Sequence, residues 1–226
     1  PIKETRWFVK YILTDLWIYR DKLGQEKPSR SLLANKKKPL YKSLDFNYIQ
    51  DAKKDKKKEF IKVNIAVLTV SDSRTTETDK SGDYLFNSIQ KAGHVCIERS
   101  LIKDDVKSIL NILNKWINLS NIDAIIITGG TGITGRDVTP EAIDQVKDKY
   151  IPGFGEIFRY ISYKKIGSSS IQSRAIACVA KGTFIFSLPG SPGACKDAWE
   201  NILKLQLDSR NRPCNLIELM PRLLET

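Results

Sequence analysis

The chain has 226 residues, 41% hydrophobic and 28% charged, which is one ordinary domain with an appendage or two small domains around a proper core. No apolar run reaches the roughly 20 residues of a membrane helix, and the start at Pro1 lacks the basic, apolar, small order of a secretory signal. The net charge of +11 is uneven: residues 1–62 hold 17 Lys+Arg against 8 Asp+Glu, and residues 63–226 hold 20 against 18, so the main body needs no polyanionic partner.

A start without Met is expected of a processed or truncated chain. In residues 6–20, RWFVKYILTDLWIYR, Phe8, Ile12 and Tyr19 together with Tyr11 and Ile18 fall on helical spacing, and Trp7, Leu16 and Trp17 widen the apolar face. A short docking helix is expected, against its own core, a neighbouring subunit or a membrane surface. Residues 24–60 turn polar and Lys-rich, with NKKKP and DAKKDKKKEF, the texture of a solvated linker. The chain thus divides into a basic extension over residues 1–60 and a domain over residues 61–226.

The domain opens with IKVNIAVLTVSDSR, a buried strand over Val63 to Val70 running into a polar loop. Tyr84, Leu85, Ile89 and Ala92 then mark a helix, with Ser81 as its cap and Gly93 closing it. CIERSLI is a second strand. Val106, Ile109, Leu110, Leu113 and Ile117 share one face of the next helix, with Asp104 as its cap. DAIIITGG is a third buried strand, and TPEAIDQVKDKY a helix with Thr139 capping and Pro140 in first position. FGEIFRYISYKKIG reads as a helix, GTFIFSLPGSP as a strand breaking into a turn, and ACKDAWENILKLQLDSR as the last helix. Strand and helix alternation with near-continuous apolar strands predicts a three-layer α/β/α fold on a mostly parallel sheet.

Cys96, Cys178, Cys195 and Cys214 are scattered, without C-x-x-C spacing, and His94 is the single histidine. Reduced thiols in a cytoplasmic setting and no zinc site are expected. His94, in KAGHVC, is read as a surface or partly buried turn residue rather than a catalytic one.

Three polar loops fall at strand C-termini, where ligands collect in open α/β sheets: TVSDSR (69–74), TGGTGITGRD (128–137) and LPGSPGA (188–194). Gly129, Gly130 and Gly132 leave backbone N–H groups free to turn toward a phosphate, and the third loop runs into a helix N-terminus, which attracts anions. Asp137 and Asp104 would repel a polyphosphate unless a cation lies between. Mg²⁺ bridges carboxylates to substrate phosphates in this way. Each aspartate also fits the plain reading of an acidic residue before a helix. No G-x-x-x-x-G-K-[ST] occurs, no G-x-G-x-x-G follows the first strand, and no Ser/His/Asp triad is evident.

Taken together, IAVLTVSDSR, DKSGDYL, AGH, TGGTGITGRDVTPEA, PGFGEIFR, SSSIQSRA, SLPGSPGACKDAWENI and RPCNLIELMP, in that order, resemble the MoaB/Mog family of molybdenum cofactor biosynthesis proteins. The resemblance covers about residues 61–226, and WENI, QLDSR and RPCN are closer to the MoaB branch. It implies a molybdopterin adenylyltransferase that joins the terminal phosphate of molybdopterin to AMP from Mg-ATP and releases pyrophosphate. A non-catalytic molybdopterin-binding or scaffold protein of the same pathway is the alternative. By the resemblance, Asp137 and Asp104 are the metal-linked catalytic positions. Gly129, Gly130, Thr131 and Gly132 form the nucleotide loop, with Ser71, Asp72 and Ser81 on the same edge. Gly190, Ser191, Ser173 and Arg174 hold the phosphate of the pterin. Arg136 either offsets charge or forms a surface ion pair. SPGA after Gly190 departs from more typical forms. A homo-oligomer, trimer or hexamer, is implied, with other proteins of the pathway as further partners. A nucleic-acid binder acting through the front segment is a third class, disfavoured because its lysines lack interleaved aromatics.

Overall fold

The computed structural model describes residues 54–225. The helix expected over residues 6–20 and most of the Lys-rich stretch lie outside them. One compact unit runs from Ala52 to Thr226, so the boundary expected at residue 61 lies inside it. The reason is specific anchoring of a stretch expected to be linker. The Asp55 N–H donates to the Arg210 carbonyl at 2.8 Å and Lys54 pairs with Asp208 at 2.8 Å. Phe60 packs on His94 at 5.0 Å between centroids, beneath the Arg210 guanidinium at 4.7 Å. His94 is therefore buried, its Nδ1 accepting from the Val63 N–H at 3.3 Å, and burial lowers its pKa.

Six strands form one sheet: β1 (Asn64–Val70), β2 (Val95–Ile102), β3 (Ala124–Thr128), β4 (Lys149–Tyr150), β5 (Ile176–Ala180) and β6 (Thr183–Leu188), in the order β2-β1-β3-β6-β5-β4. β2, β1, β3 and β6 are mutually parallel, and β5 runs antiparallel to both β6 and β4. The mostly parallel sheet predicted from the sequence is present. The β5–β6 hairpin was not anticipated, because its turn is Lys181-Gly182 rather than Asn-Gly. Both residues take positive φ, 48° and 82°, as a two-residue hairpin turn requires.

The strands alternate their burden between two cores. Ile65 and Val67 face a cluster with Leu85 and Ile89 of α1 (Lys80–Lys91), Phe154 and Phe158 of α4 (Pro152–Ile166), and Cys195 and Ala198 of α5 (Pro192–Ala198). Ala66 and Leu68 face the other side, with Ile109, Leu113 and Trp116 of α2 (Val106–Trp116) and Ala142 and Ile143 of α3 (Thr139–Asp144). That is the α/β/α sandwich. The last helix expected from the sequence runs on from α5 through a π segment over Trp199–Leu203 into α6 (Lys204–Gln206), with helical backbone angles at each junction. No helix among the described residues is long and apolar enough to cross a membrane.

Since β2 and β3 flank β1 on opposite sides, the chain reverses direction across the sheet at β1 and β3. The crevice opens there, at the strand C-termini.

Candidate functional site

Local chemistry brings four loops to this crevice. The helix caps decide which aspartates are spent on structure. Asp105, not Asp104, caps α2, its Oδ1 accepting from the Ser108 N–H at 2.9 Å. Asp104 is thereby released toward the crevice. Asp79, not Ser81, caps α1, accepting from the Gly82 N–H at 3.0 Å. Ser81 instead donates its hydroxyl to the Gly190 carbonyl at 2.7 Å. Thr139 does not cap α3; its hydroxyl donates to the Gly129 carbonyl at 2.9 Å, and its N–H to the Gly130 carbonyl at 3.0 Å. These exchanges turn three expected caps into loop ties or site groups.

The glycine loop is shaped by close approaches. Gly129 has φ +107°, and a Cβ there would strike the Val70 carbonyl at the end of β1. Gly130 has φ +64°, and a Cβ there would lie 2.8 Å from Asp104 Oδ1. Both positions exclude a side chain on backbone and steric grounds together. The loop is also fastened to the third one. The Gly129 N–H donates to the Leu188 carbonyl at 3.0 Å, and the Thr128 hydroxyl to the Pro189 carbonyl at 3.1 Å.

Asp137 folds back beneath Gly132, whose Cβ, if present, would sit 2.6 Å from its Oδ2. That oxygen accepts from the Thr134 hydroxyl at 2.6 Å and the Thr134 N–H at 3.0 Å, and the Thr134 hydroxyl is the leading reason its pKa is lowered. Asp104 behaves oppositely. Burial raises its pKa, the negative charges of Asp137 and Asp72 raise it further, and the Val138 N–H at 3.3 Å and the Arg136 charge work against them. A carboxylate favoured in its charged form beside a second whose charge is disfavoured by burial and by neighbouring negative charge is a pair that a cation would stabilise.

No cluster of three or more His, Cys, Asp or Glu side chains among the described residues forms a metal cage. The two carboxylates that line one cavity, Asp137 and Asp104, do fit a magnesium ion that completes its shell with water and substrate phosphates.

These groups line one cavity of about 490 Å³. Ser71, Asp72, Asp104, Gly129, Gly130, Thr131, Gly132, Asp137, Ser173, Gly190 and Ser191, all singled out in the sequence, line it. Ser81 and Arg174 do not. Ser81 is fully buried under the third loop. Arg174 braces the glycine loop from behind. Its Nε donates to the Gly132 carbonyl and its Nη2 to the Asp137 carbonyl, both at 2.6 Å, while Nη1 pairs with Glu141. It positions Asp137 and does not offer an open guanidinium to a ligand. Arg136, highly exposed, pairs with Asp72 at the surface.

Arg174→Ala removes two charge-assisted bonds to loop carbonyls, each worth about 1.5–3 kcal/mol where well formed. Amide hydrogen exchange over residues 131–137 is expected to quicken by at least about tenfold while β3 stays protected. Unchanged exchange would show that the guanidinium does not hold the loop.

Sequence reasoning missed the far lobe of the cavity, lined by Phe158, Ser162, Ile166, Ser169, Ser170 and Gln172. α4 and the 3₁₀ turn after it, Gly167–Gln172, deliver these side chains. The triple serine was a visible signal, but only the fold shows that it meets the glycine loop. An aromatic ring with serine hydroxyls and an amide suits a flat heterocycle with polar edges. Arg74, the single basic residue of the first loop, was also missed.

The arrangement can take two anionic groups against backbone N–H groups, a divalent cation on a carboxylate pair, and a heterocycle in a partly apolar lobe. Comparison with known proteins bears on which ligands these are. The family model described as "Probable molybdopterin binding domain" matches residues 66–209. Molybdenum cofactor biosynthesis protein B of Escherichia coli (strain K12) is 48% identical over 157 residues, covering 70% of this chain and 92% of that protein. Among solved structures, a crystal structure of molybdenum cofactor biosynthesis protein B superposes with a TM-score of 0.64 at 42% identity, covering 66% of this chain and 94% of that one. The tungsten cofactor synthesizing protein MoaB from Pyrococcus furiosus gives 0.57 at 35% identity, covering 63% and 91%.

Proposed function

This chain belongs to the molybdopterin-binding MoaB/Mog family and has its role in molybdenum cofactor biosynthesis, and from that premise we propose that it is a molybdopterin adenylyltransferase. The observation that carries the reading is the pairing of Asp104 and Asp137 beneath Gly130 and Gly132, in one cavity with the third loop.

In the proposed reaction a terminal phosphate oxygen of molybdopterin attacks the α-phosphorus of ATP. The bond from that phosphorus to the bridging oxygen breaks, and pyrophosphate leaves with the electron pair. The nucleophile is already an anion, so no general base is required. What the site must supply is alignment and charge neutralisation.

Asp104 and Asp137 would hold the magnesium ion that accompanies ATP, which offsets phosphate charge. With the Gly129 N–H held by the Leu188 carbonyl and that of Gly132 by the Asp137 carboxylate, the N–H groups of Gly130 and Thr131 would face the nucleotide phosphates, with Ser71 and Asp72 on the adjoining edge. Gly190 and Ser191 would bound the phosphate of the pterin, and Ser173 its path toward the serine-lined lobe. Arg174 and Thr134 keep Asp137 in place, one through its carbonyl and the other through its carboxylate.

ATP labelled in its α-phosphate distinguishes this reading from a scaffold that binds molybdopterin without acting on it. The label is expected on molybdopterin after incubation with the protein and Mg²⁺. Binding without label transfer would support the scaffold and end the transferase proposal.

A further inference from the structure

We propose that Arg74 is the cation that receives the terminal phosphate of the pterin, held for that purpose by buried Asp79. The proposal rests on the transferase reading, in which that phosphate is the nucleophile.

Arg74 is the one cationic side chain that lines the cavity among the described residues, against three carboxylates, Asp72, Asp104 and Asp137. A site that must bring two anions together has its other positive charge in the magnesium ion, which the carboxylate pair would place at the glycine loop. The first and third loops are where Arg74 lies. Its Nη2 donates to the Gly190 carbonyl at 2.5 Å, the one hydrogen bond its guanidinium makes among the described residues. A guanidinium has five N–H donors in a planar fork, a shape that matches two phosphate oxygens.

Its placement is determined from below. Asp79 is 1% exposed. Its carboxylate is filled by the Thr69 hydroxyl at 2.7 Å, Arg99 Nη2 at 2.9 Å and the Gly82 N–H at 3.0 Å. Arg74 Nη1 stands 3.7 Å from Asp79 Oδ1, close enough for attraction but beyond a hydrogen bond. Asp79 thus steers Arg74 while its own closest partners lie elsewhere, and apart from the Nη2 bond to Gly190 the guanidinium donors of Arg74, which lines the cavity, make no hydrogen bond among the described residues. Ser81 fastens the same Gly190 carbonyl from the other side, at 2.7 Å. The third loop and the guanidinium are therefore one preset unit.

The test uses the full chain. Molybdopterin and its dephosphorylated form are titrated against wild type, Arg74→Gln and Arg74→Lys. Wild type should prefer the phosphorylated form. Arg74→Gln should bind it about 10- to 100-fold more weakly, the range for a charge-assisted bond, and bind the dephosphorylated form unchanged. Arg74→Lys keeps the charge without the fork and should fall between. An Arg74→Gln protein that retains the full preference overturns the proposal and leaves the transferase reading standing. Wild type that binds no molybdopterin overturns both. A measurement on wild type alone avoids any folding defect of the variants: phenylglyoxal should modify Arg74, and molybdopterin but not its dephosphorylated form should block it. Modification of Arg74 under saturating molybdopterin would equally overturn the proposal.

Discussion

Asp137→Asn is expected to lower AMP transfer by at least about 100-fold while molybdopterin binding stays within about twofold of wild type. The substitution keeps the size and shape of the side chain. An amide oxygen can still accept from the Thr134 hydroxyl and N–H, the two bonds that hold Asp137 under Gly132. What is lost is the charge. Asp137→Ala, which also removes the loop tie, should be no worse for turnover if the charge is what matters. The pterin phosphate is assigned to the first and third loops, so its binding should be spared. Turnover of Asp137→Asn near the wild-type rate would separate this carboxylate from the chemistry.

Asp104→Asn should abolish transfer to a similar degree and yet make the metal-free protein more stable. Burial, then the nearby charges of Asp137 and Asp72, raise the pKa of Asp104 above its ordinary 3.8. A carboxyl whose pKa is raised on folding favours the folded state while protonated, and that contribution is lost as pH rises through the folded value. At neutral pH the ionised Asp104 therefore opposes folding, and a neutral amide relieves the strain. The group is partly solvated, so the gain is at most about 1 kcal/mol, an increase in Tm of no more than about 4 °C. The advantage should shrink as pH falls through the raised folded value and vanish below 3.8, where the wild-type carboxyl is protonated in both states. It should also shrink when Mg-ATP is added, since only wild type has the charge to bind it. Thermal melts of both proteins between pH 7.5 and 4.5 would measure it, and a lower Tm for the variant at pH 7.5 would contradict the account.

Much of the frame was legible because it rests on periodicity. The apolar runs of β1 and β3 and the faces of α1 and α2 are continuous in the chain, and each of the three ligand loops directly succeeds a strand. The roles of single polar residues were less legible, because neighbours compete for the same task. Of the adjacent pair Asp104 and Asp105, one caps α2 and the other is released into the site, and the two are chemically identical in sequence. Asp79 and Ser81 divide the start of α1 in the same manner, and the residue assigned as the cap instead fastens the third loop. Arg174 is the clearest instance. Its neighbour Ser173 lines the cavity, whereas its guanidinium turns back to carbonyls some forty residues away, at Gly132 and Asp137. No local pattern encodes a contact of that separation. The far lobe, from Phe158 to Gln172, escaped for the same reason: it joins the glycine loop only through the fold.

The measurement that bears most directly on the transferase reading is pyrophosphate release by wild-type protein given Mg-ATP, with and without molybdopterin. The account predicts release that needs both molybdopterin and Mg²⁺, up to one pyrophosphate per molybdopterin consumed. No release with both present, or release that proceeds equally without molybdopterin, would contradict it.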